Sequence, residues 1–332
     1  MPDNLFIVRE WGVNLGSNVE LLKCLNEFYG ESNVTQIVVP NNANFLDFVL
    51  PLLDKAWEVN IWLDTRVFIV DARIKSLLVH LSDVGKLNFY FKAKRITPIC
   101  IMTDSISAPG YQLVGELLVR GIGVLIPLGE DTPIRGLSKI SRVGGVTNPI
   151  SKETALRLVS SRSEPTRGVF LGGLLYEPRK SYILKVHQGL ILNDVDAEIV
   201  GKSSNSYMDY LVTLSNFRIV INTNFVVNSK KLHMVSRNIE TLHAGSLLLT
   251  QNTSRIVSLF EEGKHYIAIT SPEDAIKKAV HYYRNPDLAS EIAACGQKRA
   301  IKYAEESDFI AKVELAKGKI GGLNVKKPHS KI

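Results

Sequence analysis

Two short stretches of this chain carry residue types suited to handling a phosphorylated nucleotide. The first runs Gly168-Val-Phe-Leu-Gly-Gly-Leu-Leu-Tyr-Glu-Pro-Arg-Lys180, an apolar strand that ends in Gly172-Gly173 and is followed by Arg179 and Lys180. Glycines at the C-terminal end of a strand let backbone amides approach a phosphate, and the start of a following helix adds partial positive charge. Arg179 and Lys180 follow closely enough to neutralise a diphosphate. A Gly-Gly pair after a strand is also the mark of an ordinary tight turn. The second stretch is Ser236-Arg-Asn-Ile-Glu-Thr-Leu-His-Ala-Gly-Ser-Leu-Leu-Leu-Thr250. It reads as a helix capped by Ser236 and stopped at Gly245, then a strand. Glu240, one turn in, lies within reach of a ligand at the helix start. A carboxylate can hold the two hydroxyls of a ribose, one on each oxygen. Taken alone, it is equally an ordinary helix-surface glutamate.

The N-terminal half offers fewer chemical groups. In a doubly wound sheet, ligands sit beyond the C-terminal ends of the strands. That edge is expected to carry Arg9 and Glu10, the loop Asn14-Leu-Gly16-Ser17, Asp71, and Thr103-Asp104-Ser105. Asn14, Gly16 and Ser17 form a candidate phosphate loop, and Asp104 is the preferred carboxylate for holding or deprotonating an acceptor hydroxyl. Asp104 can equally cap the next turn. His80 sits inside an amphipathic stretch and reads as a helix histidine rather than a base. The run Lys86-Leu-Asn-Phe-Tyr-Phe-Lys-Ala-Lys-Arg95 interleaves aromatics with cations. Such a run suits an anionic lipid headgroup or nucleic acid, and equally a half-buried helix with a solvated edge.

The elements that must position these groups alternate along the whole chain. Strands are expected at Leu5–Val8, Gln36–Val39, Val59–Leu63, Val67–Val70, Pro98–Met102 and Gly123–Pro127, with helices between them such as Ala108–Arg120. The pattern loosens over Ser141–Pro149 into a linker or hinge with a helical piece, Lys152–Ser160, and then restarts. Strands follow at Gly168–Leu171, Ala197–Val200, Arg218–Asn222, Leu247–Thr250 and Tyr266–Ile269, with a long helical tail from Glu273. This βαβ rhythm predicts an α/β fold of two doubly wound Rossmann-like domains. The expected division is 1–160 and 161–307 for the two domains and 308–332 for a final helix and basic tail.

Composition bounds the rest. A chain of 332 residues with 45% hydrophobic and 22% charged residues can bury two full cores. No run of about 18 apolar residues occurs, and the N-terminus lacks a secretory pattern, so a cytoplasmic location is expected. Three scattered cysteines, Cys24, Cys100 and Cys295, suit reduced core thiols rather than disulfides or zinc. A net charge of +7 favours anionic partners without choosing among them. The first strand lacks Gly-x-Gly-x-x-Gly, which argues against a nicotinamide-dependent dehydrogenase.

Three ordered blocks resemble the C-terminal domain of group 1 glycosyltransferases of the GT-B fold, above all the branch of CgeB-like spore-maturation proteins. These are FLGGLLYEPRK, SRNIETLHAGSLLLT and FEEGKHYIAITSPEDAIKKAVHYYRNPDLASEIAACGQKRAIKYAEESDF. The resemblance implies transfer of a sugar from a nucleotide-sugar donor to a hydroxyl in an interdomain cleft, with no cofactor and no metal. It makes 1–160 the acceptor-side domain and 161–307 the nucleotide-sugar-binding domain, with the helix of 308–332 crossing back onto the first. It places Glu240 on the donor ribose, Arg179 and Lys180 on the diphosphate, and Gly172 and Gly173 along the sugar-phosphate approach. Ser236 and Arg237 fall where helix-start amides meet the distal phosphate. With Asp104, Arg179 is the expected catalytic group, because it stabilises the departing diphosphate. The chain departs from the family in lacking a second glutamate ahead of Glu240, where His233 or Leu232 stands. The acceptor is then a glycan, a lipid-linked sugar or DNA, with contact to an anionic membrane among the options. A DNA-modifying transferase of phage type and a catalytically silent nucleotide-sugar-binding module are the rival readings.

Overall fold

Near-continuous apolar runs at short intervals leave the interior strands no solvent-facing side, so helices must cover both faces of each sheet. The computed structural model describes residues 3–54, 58–65, 77–102, 109–128, 140–144, 147–173, 175–200, 206–225, 231–306 and 309–320. They form two units, one of Met1–Val13, Leu25–Val146 and Asp308–Ile332, the other of Asn14–Cys24 and Thr147–Ser307.

In chain order the first half contains β1 (Asn4–Arg9), α1 (Gly16–Tyr29), β2 (Val34–Val39), α2 (Phe45–Leu53), β3 (Asn60–Asp64), α3 (Leu77–Lys94), β4 (Thr97–Met102), α4 (Pro109–Val119), β5 (Val124–Pro127) and β6 (Ser141–Arg142). These strands make a parallel six-stranded sheet in the order β2-β1-β3-β4-β5-β6. Ile7, Leu63, Cys100 and Leu125 from its interior strands pack with Val49, Leu87 and Phe91 of the covering helices. The indole of Trp62, fully buried, donates to Asn4 Oδ1 at 3.3 Å.

The second half contains α5 (Lys152–Ser160), β7 (Arg167–Gly172), α6 (Arg179–Ile191), β8 (Ala197–Val200), α7 (Tyr207–Ser215), β9 (Phe217–Asn222), α8 (Ser236–Ala244), β10 (Leu247–Thr250), α9 (Ser254–Leu259), β11 (Ile267–Ala268), α10 (Pro272–Arg284) and α11 (Pro286–Glu306), before α12 (Phe309–Ile320). Its sheet is also parallel, in the order β11-β10-β9-β7-β8. One face packs Val169, Ile219 and Leu249 against Ile183 and Val186 of α6 and Ala275 of α10. On the other, Leu248 packs with Ile239 and Leu242 of α8, and Phe170 and Val220 pack with Leu211 and Leu214 of α7. Hydroxyl caps start several helices: Ser151 Oγ accepts from the Thr154 amide, Ser206 from Asp209, Thr253 from Ile256 and Ser271 from Asp274. Gly245, in the left-handed region at φ 78°, ends α8.

Two features differ from the sequence expectation. The unit boundary lies at Val146–Thr147 rather than at 160, and α5 goes with the second unit. The reason is apolar packing, with Ala155 in one cluster with Ile239 and Leu242 of α8 and Leu158 in another with Leu211 and Leu214 of α7. These are joined by Glu20, buried on α1, whose carboxylate accepts from the Ser151 amide at 2.8 Å and from the Thr154 hydroxyl at 2.9 Å. Within the expected linker, Ser141–Arg142 adds a sheet strand, and Arg142 pairs with the buried Glu116 of α4. Over Phe309–Ile320, α12 belongs to the first unit, where Phe309 meets Trp62 edge-on at 6.4 Å and Tyr29 bonds to Glu314. The expected strand Val67–Val70 lies outside the described residues. Of the cysteines, Cys100 is buried while Cys24 and Cys295 are half-buried, and all three are free thiols. Among the described residues no helix is long and apolar enough to cross a membrane.

His243 on α8 gives the fold a pH dependence. It is 2% exposed, with Nδ1 at 3.0 Å from the Ile239 carbonyl oxygen, and burial lowers its pKa from 6.5 to about 4. The native state therefore favours the neutral ring, while the unfolded chain takes up a proton near pH 6.5. Its stabilisation is complete above that pH and lost as pH falls towards about 4, a total of roughly 3 kcal/mol. Denaturant melts of wild type and His243→Gln between pH 7.5 and 4.5 are expected to show a shallower loss in the variant. Parallel curves would remove His243 as the source.

Candidate functional site

The C-terminal edge of the second sheet gathers an unusual share of buried polarity. Its strands end in Gly172, Asn222 and Thr250, and the turns beyond them are held by side-chain amides. Asn238 Nδ2 donates to Asn224 Oδ1 at 2.9 Å, and Asn224 Nδ2 donates to Thr250 Oγ1 at 3.0 Å and to the Gln251 carbonyl at 2.7 Å. Asn222 donates to Asn238 Oδ1, which joins the end of β9 to α8. Such a network satisfies backbone and amide groups that the apolar sheet cannot.

Beside it stands the group that can do chemistry. Glu240 is 8% exposed, and each carboxylate oxygen accepts a tyrosine hydroxyl: Tyr207 at 3.0 Å on Oε1 and Tyr210 at 3.2 Å on Oε2. Tyr210 Oη in turn accepts from Arg237 Nε at 2.8 Å, and Arg237 Nη1 donates to the Gly172 carbonyl. The two tyrosine rings stack with centroids 6.1 Å apart, and the Arg237 guanidinium lies 5.8 Å from the Phe170 ring centroid. Burial raises the pKa of Glu240 by more than Arg237 and the two hydroxyls lower it. Burial also raises both tyrosines, reinforced by the Glu240 charge. For Arg237, burial works against the charge, but Tyr210, Glu240 and Tyr176 outweigh it and hold the guanidinium above its ordinary value.

Two glycines make this packing possible. Gly173 has φ +113°, and a Cβ there would lie 2.4 Å from Arg237 Nη1. Gly16, the first residue of α1, has the Tyr207 ring in the space where a Cβ would stand, 2.1 Å from Cε2.

Of the residues singled out in the sequence, Gly172, Gly173, Arg237, Glu240 and Gly16 come together around Tyr207 and Tyr210. Ser236 is the first residue of α8 and not its cap. Val235 holds the cap position without a side-chain bond, and the Ser236 hydroxyl accepts from Asn148. The first-turn amides of α8 thus have no side-chain cap, the arrangement that suits an anion. Arg179 points inward: it is buried over Tyr176, donating to the Thr223 hydroxyl and carbonyl, both at 2.8 Å. Lys180 beside it is exposed. Asn14 is exposed and Ser17 half-buried at the start of α1. Asp104 and Asp71 lie outside the described residues. His233, seven residues before Glu240, is buried, and its amide donates to the Asn224 carbonyl at 2.7 Å.

The run from Lys86 to Arg95 closes α3 in the first unit, with Phe91 buried and Phe89 76% exposed. Arg95 pairs with Glu58 and Lys94 with Asp54, so part of its charge is answered locally. The triplet Asp194-Val195-Asp196 has the spacing of metal-binding carboxylates but precedes β8, at the N-terminal edge of the sheet. There Asp196 Oδ2 accepts from the Gly168 amide at 3.0 Å. Among the described residues no cluster of three His, Cys, Asp or Glu side chains could hold a metal ion. Sequence reasoning missed Tyr207, Tyr210 and Glu20. The available signal was a tyrosine pair at i and i+3, which share one helix face.

Residues 186–307 match a family model described as glycosyl transferase-like. No curated protein matches the chain. Among solved structures, that of Anabaena Alr3699/HepE in complex with UDP is 11% identical, with 95% of this chain and 100% of that chain aligned at a TM-score of 0.57. A glycosyltransferase from Rickettsia africae is 12% identical over 96% of this chain and 98% of its own, at a TM-score of 0.52. The likeness shows the fold: two doubly wound Rossmann-like units of the GT-B kind.

The Gly16–Tyr207 contact yields a direct test. Gly16→Ala forces the Tyr207 ring away, and overpacking of this kind costs about 1–3 kcal/mol. Urea melts are expected to show that loss, and an unchanged midpoint would show that the ring does not sit on α1.

Proposed function

We propose that this chain is a glycosyltransferase, moving a sugar from a nucleotide-sugar donor to a hydroxyl acceptor without a metal ion. The observation that carries the reading is the assembly of Gly172-Gly173, Arg237, the uncapped start of α8 and the buried Glu240 at one edge of one sheet. Matching of residues 186–307 to a glycosyl transferase-like model supports it, as does the fold shared with a protein that was solved with UDP and with UDP-glucose. The CgeB-like branch is the one its sequence blocks resemble.

Each part has a physical role in this reading. Glu240 accepts the ribose hydroxyls. The amides of the α8 first turn and of the Gly-Gly turn meet the diphosphate, where the positive end of the helix dipole favours negative charge. The same groups, with Arg237 beside them, stabilise charge on the nucleoside diphosphate as the sugar leaves. Arg179 acts from behind on the turn after β9, by holding Thr223. The acceptor is a glycan, a lipid-linked sugar or DNA, and Asp104 remains the proposed acceptor-side base. The cytoplasm is the proposed location. A second reading, a nucleotide-sugar-binding module without turnover, is favoured by His233 standing buried near the position of the missing glutamate.

A thermal-shift panel of UDP-, GDP-, ADP-, CMP- and dTDP-sugars, with and without EDTA, tests the proposal. UDP-sugars are expected to raise the melting temperature, because ligand at about 100 times Kd adds roughly 2.7 kcal/mol. EDTA is expected to change nothing. Glu240→Ala is expected to abolish the shift while its own melting stays cooperative. No shift with any donor would reject the reading, and binding without sugar transfer in an acceptor screen would favour the silent module.

A further inference from the structure

We propose that Tyr207 and Tyr210 are the positioning residues of the nucleoside site, presenting Glu240 to a ribose and wiring it through Arg237 to the Gly172-Gly173 turn. The inference rests on the donor-site reading above and extends it to two residues with no role in the sequence blocks that carry the resemblance.

The hydrogen-bond directions carry the argument. A tyrosine hydroxyl has one proton to give. Because Tyr210 Oη accepts from Arg237 Nε at 2.8 Å, its own proton is directed to Glu240 Oε2 at 3.2 Å. Arg237 has no acceptor function, so the chain runs one way, from the guanidinium through the phenol to the carboxylate. The same guanidinium donates to the Gly172 carbonyl, which fixes the turn and the carboxylate against one another. Tyr207 supplies the matching proton to Oε1 at 3.0 Å. Each oxygen of a carboxylate has two lone pairs, so one remains on each, the number a vicinal diol requires. Both phenols come from the same face of α7, stacked, with the Tyr207 ring seated over Gly16 of α1. The charged groups that face the carboxylate are Arg237 of its own helix and Glu20 of α1, with the two tyrosines from α7.

A carboxylate held in this way selects a ribose over a 2′-deoxyribose, because loss of the 2′-hydroxyl leaves one buried lone pair unanswered. Removing a tyrosine hydroxyl lets the carboxylate turn and also raises its pKa, since those hydrogen bonds are among the groups that lower it. The acid limb of nucleotide binding then moves to higher pH.

Calorimetric titration of the full chain with UDP and dUDP, from pH 5 to 8, tests this in wild type, Tyr210→Phe, Tyr207→Phe, Glu240→Gln and Glu240→Ala. Wild type is expected to prefer UDP by about tenfold or more. Tyr210→Phe is expected to weaken UDP about tenfold, bring the UDP/dUDP ratio close to that of Glu240→Ala, and shift the acid limb upward. Glu240→Gln is expected to have no acid limb. A merely structural tyrosine would lower the melting temperature without moving the ratio or the limb. The proposal is overturned if both phenylalanine variants keep the wild-type ratio and limb while Glu240→Ala loses them. Should Tyr210→Phe fail to fold, Tyr207→Phe gives the same reading on the other oxygen. Failure of wild type to bind UDP when no other nucleotide of the thermal-shift panel binds, or wild-type binding by Glu240→Ala, rejects the donor site itself and the inference with it.

Discussion

A carboxylate withdrawn almost wholly from water is costly unless every part of it is answered. Glu240 imposes that constraint on the second unit, and much of the local structure can be understood as the answer to it. Arg237 supplies the opposite charge from one turn away, yet its Nε reaches the carboxylate only through the Tyr210 hydroxyl. The phenols must come from a neighbouring helix at i and i+3, which fixes the rotation of α7 against α8. Their rings need room, and Gly16 provides it. The arginine must lie against the end of β7, and the glycine at 173 accepts both the close approach and the left-handed backbone.

Parallel strands make such a place possible. Every strand of the second sheet delivers its C-terminus to one edge, together with the N-terminus of the helix that follows it. Backbone groups leaving an apolar sheet need partners there: Asn224 Nδ2 donates to the Gln251 backbone carbonyl and the Asn224 amide to Gln251 Oε1, while Asn222, Asn238 and Thr250 complete the side-chain network around them. The opposite edge has a different purpose. Asp196 there serves the Gly168 amide, a fold contact, despite sitting in a spacing that suggests metal chemistry.

Much of the fold was legible because buried parallel strands are apolar throughout, and runs such as Leu5–Val8 and Leu247–Thr250 permit little else. The stretch Gly168–Lys180 was legible as a strand and turn, while the direction of Arg179 was not. An arginine at the first turn of a helix can face a ligand or the core, and here Thr223 and Tyr176 turn it inward. The assignment of α5 was also hidden. Its amphipathic pattern allows packing on either unit, and the apolar surfaces of α7 and α8 that receive Ala155 and Leu158 are visible only in the fold.

What the sequence determined by itself was the alternation of elements, the two parallel sheets and the candidacy of Glu240, since periodicity, glycine placement and residue chemistry are local properties. What only the tertiary structure decided was the company that residue keeps. Gly16, Gly172, the Tyr207–Tyr210 pair and Arg237 lie far apart in the chain, and their meeting depends on helix rotation and on the volume left by two absent side chains. Hydrogen-bond direction at a phenol is set by its neighbours in space, and no spacing along a chain encodes it.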